Sequence, residues 1–339
     1  MKRILYTGIV FFLLTSIGAS GEVTKEQKPI VVKIATIAPE GSTWMDIIDE
    51  YESYVKERTG GKVKFIVYAG GVLGDEPEMV RKIKLGQIHG GGFSGMGLGK
   101  IVPEVRVLEV PMMFRNYEEV DYILHKLDGT LRKLFDDRGF VLLGWAEQGF
   151  LYLFTNKPVH KFEDLAGVKV WVWAGDNFAR IIFDSIGYLT PIPIAVPEVL
   201  QSLQTGLINA FYNSPLGAVA LQWYPHVKYM ISIPITYATG AVVIEKKIFV
   251  TFPPDLKKAL IDGGKIFFPK LISSVRKDNA QFLKSFPKQG IEFIDPDPGL
   301  EQELREKFEI AHQRLIGEFY PEWLLTGVKR SLYELREKK

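Results

Sequence analysis

A pattern of alternating strands and helices occurs twice in this chain, and two copies of one α/β unit restrict the fold more than any single motif does. In the first copy, VVKIATI at Val31 to Ile37 is β-branched and bounded by Pro39 and Gly41, as a strand should be. Thr43 and Asp46 have capping-box spacing, and Trp44, Ile47, Ile48, Tyr51 and Val55 recur at helical period until Gly60 and Gly61 stop the helix. KVKFIVY at Lys62 to Tyr68 is a second strand. Pro77 opens a short helix with Met79, Val80 and Ile83 on one face, Gly86 ends it, and a glycine-rich strand runs from about Gln87 to Ser94. The second copy starts with the strand VKVWVW at Val168 to Trp173 and a helix from Asp176 to Ile186. A strand at Pro191 to Ala195, a helix at Pro197 to Thr205 and a strand at Ile208 to Tyr212 complete it. Even the joints match, Leu85-Gly86-Gln87-Ile88 against Thr205-Gly206-Leu207-Ile208. Alternation of this kind favours two α/β halves with mainly parallel sheets. Ligands in such sheets sit beyond the carboxyl ends of the strands, so the cleft between the halves is the expected site.

The remaining segments connect the halves. A helical pair is expected from about Tyr117 to Asp137, and the extended runs Phe140 to Ala146 and Phe150 to Thr155 read as hinge strands. From Pro254 to about Phe286 the pattern is helical, roughly 50 Å at 1.5 Å per residue, enough to lie across both halves. Gly263, Gly264 and Pro269 should bend that helix or break it into two, and both outcomes stay open. At the start, Lys2 and Arg3 precede an apolar run from Ile4 to Leu14 and the small residues Gly18 to Gly21. This reads as a signal peptide over residues 1–20, cleaved near Ser20 or Gly21. The run is shorter than the roughly 18 to 20 residues of a membrane-spanning helix, although an uncleaved anchor is the alternative.

Composition excludes several chemistries. The 42 Lys and Arg against 40 Asp and Glu leave a net charge of +2 with no dense basic stripe, which argues against a nucleic-acid partner. With no cysteine there is no disulfide, thiolate metal site, cysteine nucleophile or lipoprotein anchor. His89, His125, His160, His226 and His312 lack the spacing that puts two metal ligands on one helix face. GGGFSG at Gly90 to Gly95 fits the dinucleotide string, but it follows the third strand and opens no clear helix, so its glycines are read as close approaches of backbone. No cofactor, no metal and no catalytic constellation is expected.

What remains is aromatic. Trp44, Trp145, Trp171, Trp173, Tyr212 and Trp223 fall at or near strand-to-helix junctions. Alternation points Trp171 and Trp173 to one side of their strand, where two indoles form either a core plug or an apolar wall with N–H donors at its rim. Asp176, just beyond them, is placed to cap the following helix.

The strings AGGVLGDEPEMVRKIKLGQIHGG, VLEVPMMFRNYEEV, GFLYLFTNKPVHKFEDLAGVKVWV and SLQTGLINAFYNSPL, in that order, resemble the solute-binding proteins of tripartite ATP-independent periplasmic (TRAP) transporters. The resemblance implies a two-lobed periplasmic binding protein fold, α/β, with hinge strands and a long helix across both lobes. It places lobe I at residues 30–147 with about 237–255, lobe II at 148–236 with about 288–325, and the bridging helix at 254–287. It also implies a periplasmic protein without enzymatic activity, which closes on a small molecule and delivers it to membrane permease subunits. A module serving a sensor or another periplasmic protein is the alternative, and an α/β enzyme a weaker one.

Two departures bear on the ligand. The family usually has an arginine after G-x-K-x, where GVKVW puts Trp171, and often a second two residues after a hinge glycine, where Gly149-Phe150-Leu151 puts Leu151. A buried carboxylate without such partners costs several kcal/mol, so the expected ligand is neutral or largely apolar. The expected contacts are Trp171 and Trp173 as walls and Tyr212 and Asn213 as hydrogen-bonding groups, with Gln148 and Leu151 on the hinge side and Thr36, Trp44 and Met96 from the first lobe.

Overall fold

The computed structural model describes residues 29–338, so the expected signal peptide lies outside the described residues. The first β-branched run forms β1 (Ile30–Thr36), followed by α1 (Thr43–Arg58), β2 (Val63–Tyr68), α2 (Glu76–Lys84), β3 (Gly90–Ser94) and the one-turn α3 (Gly95–Gly99). β1 is central, parallel to β2 with Ile30 opposite Val63 and parallel to β3 with Ile34 opposite Gly90. The bare glycines of β3 allow close approach on both sides: a Cβ on Gly91 would lie 2.6 Å from the Ala35 carbonyl oxygen of β1, and one on Gly90 2.3 Å from the Val243 carbonyl oxygen. No capping box forms at α1. Ser42 is the N-cap without a side-chain bond, and the Thr43 hydroxyl instead donates to Asp278 Oδ2 at 2.6 Å.

A 3-10 turn at Pro103–Glu109 leads to α4 (Tyr117–Asp137), one continuous helix where a pair was expected. The two runs read as hinge strands are one 16-residue strand, β4 (Phe140–Thr155). Register shifts between Leu142 and Gly144 and between Glu147 and Gly149 absorb the mismatch. Gly149 stands at φ 94°, a conformation that a side chain would strain.

The second unit repeats the first: β5 (Lys169–Trp173), α5 (Asn177–Ile186), β6 (Thr190–Ile194), α6 (Val196–Gln204), β7 (Ala210–Asn213) and α7 (Pro215–Ala220). β5 is central and parallel to both β6 and β7, the arrangement of β1, β2 and β3 again. The chain continues through β8 (Tyr229–Ile231), β9 (Thr236–Glu245), α8 (Lys246–Phe249), α9 (Pro254–Ser285), β10 (Glu292–Ile294), α10 (Pro298–Leu315) and α11 (Glu322–Arg336). β9 runs antiparallel between β3 and β4, while the far end of β4 pairs antiparallel with β7 and β8. β4 therefore joins the two parallel cores into one mixed ten-stranded sheet in the order β2-β1-β3-β9-β4-β7-β5-β6, with β8 and β10 to the side.

α9 is a single 32-residue helix. Gly263 and Gly264 do not break it because they are where it touches its neighbours: Cβ atoms there would meet Tyr51 at 2.9 Å and the Leu143 carbonyl oxygen at 2.3 Å. Pro269 lies on the exposed face, where water can satisfy the carbonyl its ring leaves unpaired. α9 packs on α1, β4 and α7 and so touches both units. Among the described residues, no helix is long and apolar enough to cross a membrane.

Candidate functional site

The carboxyl ends of β1 and β3 face those of β5 and β7 across a cleft, with the middle of β4 at its base. Every residue expected at the site lines it: Thr36, Trp44, Met96, Gln148, Leu151, Trp171, Trp173, Tyr212 and Asn213. Trp145 does not. Its indole packs on Phe135 and donates to Asp128 Oδ1 at 2.6 Å, away from the cleft.

Alternation in β5 does bring Trp171 and Trp173 to one side, their ring centroids 5.7 Å apart. Tyr212 stacks on Trp171 at 5.1 Å, and Trp223 meets it edge-on at 5.0 Å. The indole N–H groups of Trp171, Trp173 and Trp44 do not form a donor rim, because the protein uses them itself. Trp171 donates to the Ile194 carbonyl at 2.9 Å, Trp44 to the Glu147 carbonyl at 3.1 Å, and Trp173 to Asp75 Oδ2 at 2.7 Å. The indoles thus offer the cleft ring surface and little polarity. Asn213 Oδ1 accepts from Ser214 N at 2.8 Å, and the half-buried Gln148 brings a side-chain amide to the hinge side.

The charged groups of the cleft were not expected. Arg106, from the 3-10 turn, is the one basic residue among the described residues that line it, alongside Glu76, Glu109, Glu147 and Asp176. Arg106 Nη2 donates to Asp176 Oδ2 at 3.0 Å and Nη1 to Oδ1 at 3.3 Å. Arg106 Nε lies 2.9 Å from Glu109 Oε2, an ion pair without the alignment of a hydrogen bond. All three residues are buried. Burial opposes the Arg106 charge, and Asp176 and Glu109 more than offset it. Burial raises the Glu109 carboxyl to about 7, despite Arg106 beside it. Burial likewise raises Glu76 to about 7, although Ser94 N, Ser94 Oγ and Gly97 N all donate to it. Glu147 is raised by burial, against the opposing pull of Arg276, which donates to it at 2.8 and 2.9 Å.

Three sets of polar bonds close the cleft. Arg106 reaches Asp176; Asp75, the N-cap of α2, accepts from Trp173 Nε1 and at 3.2 Å from Val196 N; and Lys100 Nζ donates to the Gly175 carbonyl at 2.9 Å. Asp176 also caps α5, accepting from Phe178 N at 3.1 Å, as its position in the sequence suggested. The sequence held one further signal: Arg106 interrupts the apolar run Val105 to Leu108, where a charge must find a buried partner. Among the described residues, no cluster of His, Asp and Glu could hold a metal ion.

A two-unit fold, closed over a cleft at the strand ends, is the geometry of a receptor for small molecules, and comparison with known proteins agrees. The model of the bacterial extracellular solute-binding protein family 7 matches residues 34–318. The chain belongs to that family. A solute-binding protein of Verminephrobacter eiseniae is 30% identical over 253 residues, 73% of this chain and 74% of that one. The C4-dicarboxylate-binding periplasmic protein of Rhodobacter capsulatus is 23% identical over 238 residues, 69% of this chain and 70% of the relative. Among solved structures, a TRAP periplasmic solute-binding protein from Polaromonas bound to D-erythronate superposes with a TM-score of 0.80 at 22% identity, covering 88% of this chain and 98% of that one. One from Sulfurospirillum deleyianum with bound succinate gives 0.81 at 21%, covering 89% and 99%. This family 7 protein is therefore a periplasmic TRAP solute-binding protein and not an enzyme, and members of its kind bind small molecules and deliver them to membrane permease subunits.

Proposed function

We propose that this protein captures a neutral or largely apolar small molecule between its lobes and hands it to a TRAP permease. The lobe boundaries are those given by the sequence: residues 30–147 with about 237–255, and 148–236 with about 288–325. The contacts are those expected from the sequence, with Trp171 and Trp173 as apolar walls, Tyr212 and Asn213 as hydrogen-bonding groups, Gln148 and Leu151 on the hinge side, and Thr36, Trp44 and Met96 from the first lobe. The observation that carries the reading is the commitment of Arg106: the one basic side chain among the described cleft residues already faces Asp176 and Glu109. An arriving carboxylate would surrender its hydration and meet further carboxylates, which costs several kcal/mol without a partner. An apolar ligand would instead gain roughly 25 cal/mol per Å² of surface buried against the rings. The Polaromonas and Sulfurospirillum proteins hold acids, D-erythronate and succinate; a guanidinium is a strong partner for a carboxylate, and in this cleft Arg106 is already paired.

Mass spectrometry of the compound released by denaturing the purified protein tests this, with a Trp171→Arg variant prepared identically. A neutral or apolar compound in the parent, lost in the variant, is the expected result. A simple carboxylate bound at one per chain in the parent would overturn the reading.

A further inference from the structure

We propose that Asp176 is a resident counter-ion: it takes the place at Arg106 that a ligand carboxylate would otherwise occupy, and so selects against acids. This deepens the reading above and rests on it. The guanidinium has two hydrogen-bonding edges and two faces. Asp176 takes the Nη1–Nη2 edge, at 3.3 and 3.0 Å. Glu109 stands 2.9 Å from Nε, and the Phe178 ring covers one face with its centroid 4.2 Å from Cζ. A guanidinium held in this way keeps no fork free for a second carboxylate.

The position of Asp176 matters as much as its charge. Arg106 belongs to the 3-10 turn beside β3, and Asp176 to the turn between β5 and α5, 70 residues further along the chain and on the opposite side of the cleft. The ion pair therefore forms when the two sides meet. A dicarboxylate or sugar acid could close a cleft by bringing its own negative charge to an arginine; here the protein supplies that charge from the strand end that also carries Trp171 and Trp173. What remains for the ligand is the space between the rings. Asp176 is thus a specificity-determining residue, acting through Arg106.

Asp176→Asn keeps the shape and the oxygen that caps Phe178 N while removing the charge. The probes are simple monocarboxylates from acetate to benzoate, each paired with its amide, and the readout is the dissociation constant by calorimetry on full-length mature protein. The variant is expected to bind at least one acid tenfold or more tighter than the parent does, and to lose that gain when Arg106→Gln is added. Acids binding no better to the variant than to a parent that rejects them would overturn the role of Asp176 and leave the neutral-ligand reading standing. Tight acid binding by the parent would overturn both. Asp176→Ser, which also retains a capping oxygen, replaces the Asn variant if circular dichroism shows that the latter is poorly folded.

Discussion

The contact of α9 with the hinge strand can be tested with two identical substitutions of opposite expected sign. Gly264 and Gly327 both lie in helix interiors, where alanine is favoured over glycine by about 1 kcal/mol. At Gly327 an added Cβ meets nothing within 4 Å, so Gly327→Ala should raise stability by about 1 kcal/mol. At Gly264 the same methyl would stand 2.3 Å from the Leu143 carbonyl oxygen and 3.2 Å from its carbon, both backbone atoms of β4. Neither can swing aside as the end of a side chain can, so the helix or the strand must move. Overpacking of this kind costs about 1–3 kcal/mol, and backbone contact at this distance belongs at the upper end. After the propensity gain, Gly264→Ala should destabilise by about 2 kcal/mol, leaving the pair about 3 kcal/mol apart. Urea denaturation of both variants under one set of conditions measures this through the midpoints, provided the slopes agree. A Gly264→Ala protein as stable as the parent would refute the claim that the glycine exists for close approach.

Two further perturbations address the buried carboxylates. Glu76 has its carboxyl raised from 4.5 to about 7, so the folded protein holds a proton there that the unfolded chain releases, and stability falls as pH rises from about 4.5 to about 7. Glu76→Gln should flatten that fall by about 3 kcal/mol in the difference between the two ends, and unchanged thermal-denaturation profiles across this range would contradict it. Arg276→Met leaves Glu147, which is buried, with the Tyr237 hydroxyl at 2.9 Å but no cation, and should cost about 3–5 kcal/mol at neutral pH. That loss should shrink as pH falls and Glu147 takes up a proton; an equal loss at pH 7 and pH 5 would mean that packing of the arginine, not its charge, is what matters.

The repeat made the fold legible because local signals and tertiary structure agree there: β-branched runs, glycine stops and helical periods recur in the same order in both units. Signals failed where a long-range contact outweighed local preference. Gly263, Gly264 and Pro269 left the long bridging helix open to a break, and locally nothing could decide it; α9 is continuous because its glycines touch Tyr51 and Leu143 and its proline faces water. Glu147, Gln148 and Gly149 read as a gap between two strands, yet a register shift and a positive φ carry β4 through them. At the site, Trp171, Trp173 and Tyr212 could be placed from alternation and strand ends. The charge cluster could not, since nothing local connects Arg106 to a carboxylate 70 residues away.

The polar bonds across the cleft also bear on how much a ligand must contribute. A ligand shifts the open–closed equilibrium only by its difference in affinity for the two states. Taking the population from almost wholly open to almost wholly closed would need about 5.5 kcal/mol of such difference. At roughly 25 cal/mol per Å², an apolar molecule would have to bury about 220 Å² of surface in the closed state alone to supply it. Asp75 on Trp173 and Val196, Lys100 on Gly175 and Arg106 on Asp176 all join the two sides without any ligand atom. Each such bond adds to the closed state on its own account, so the ligand's share falls below that figure. On the proposed reading, a small apolar solute need not bring a charge to bridge the lobes, because Arg106 and Asp176 already form that bridge within the protein.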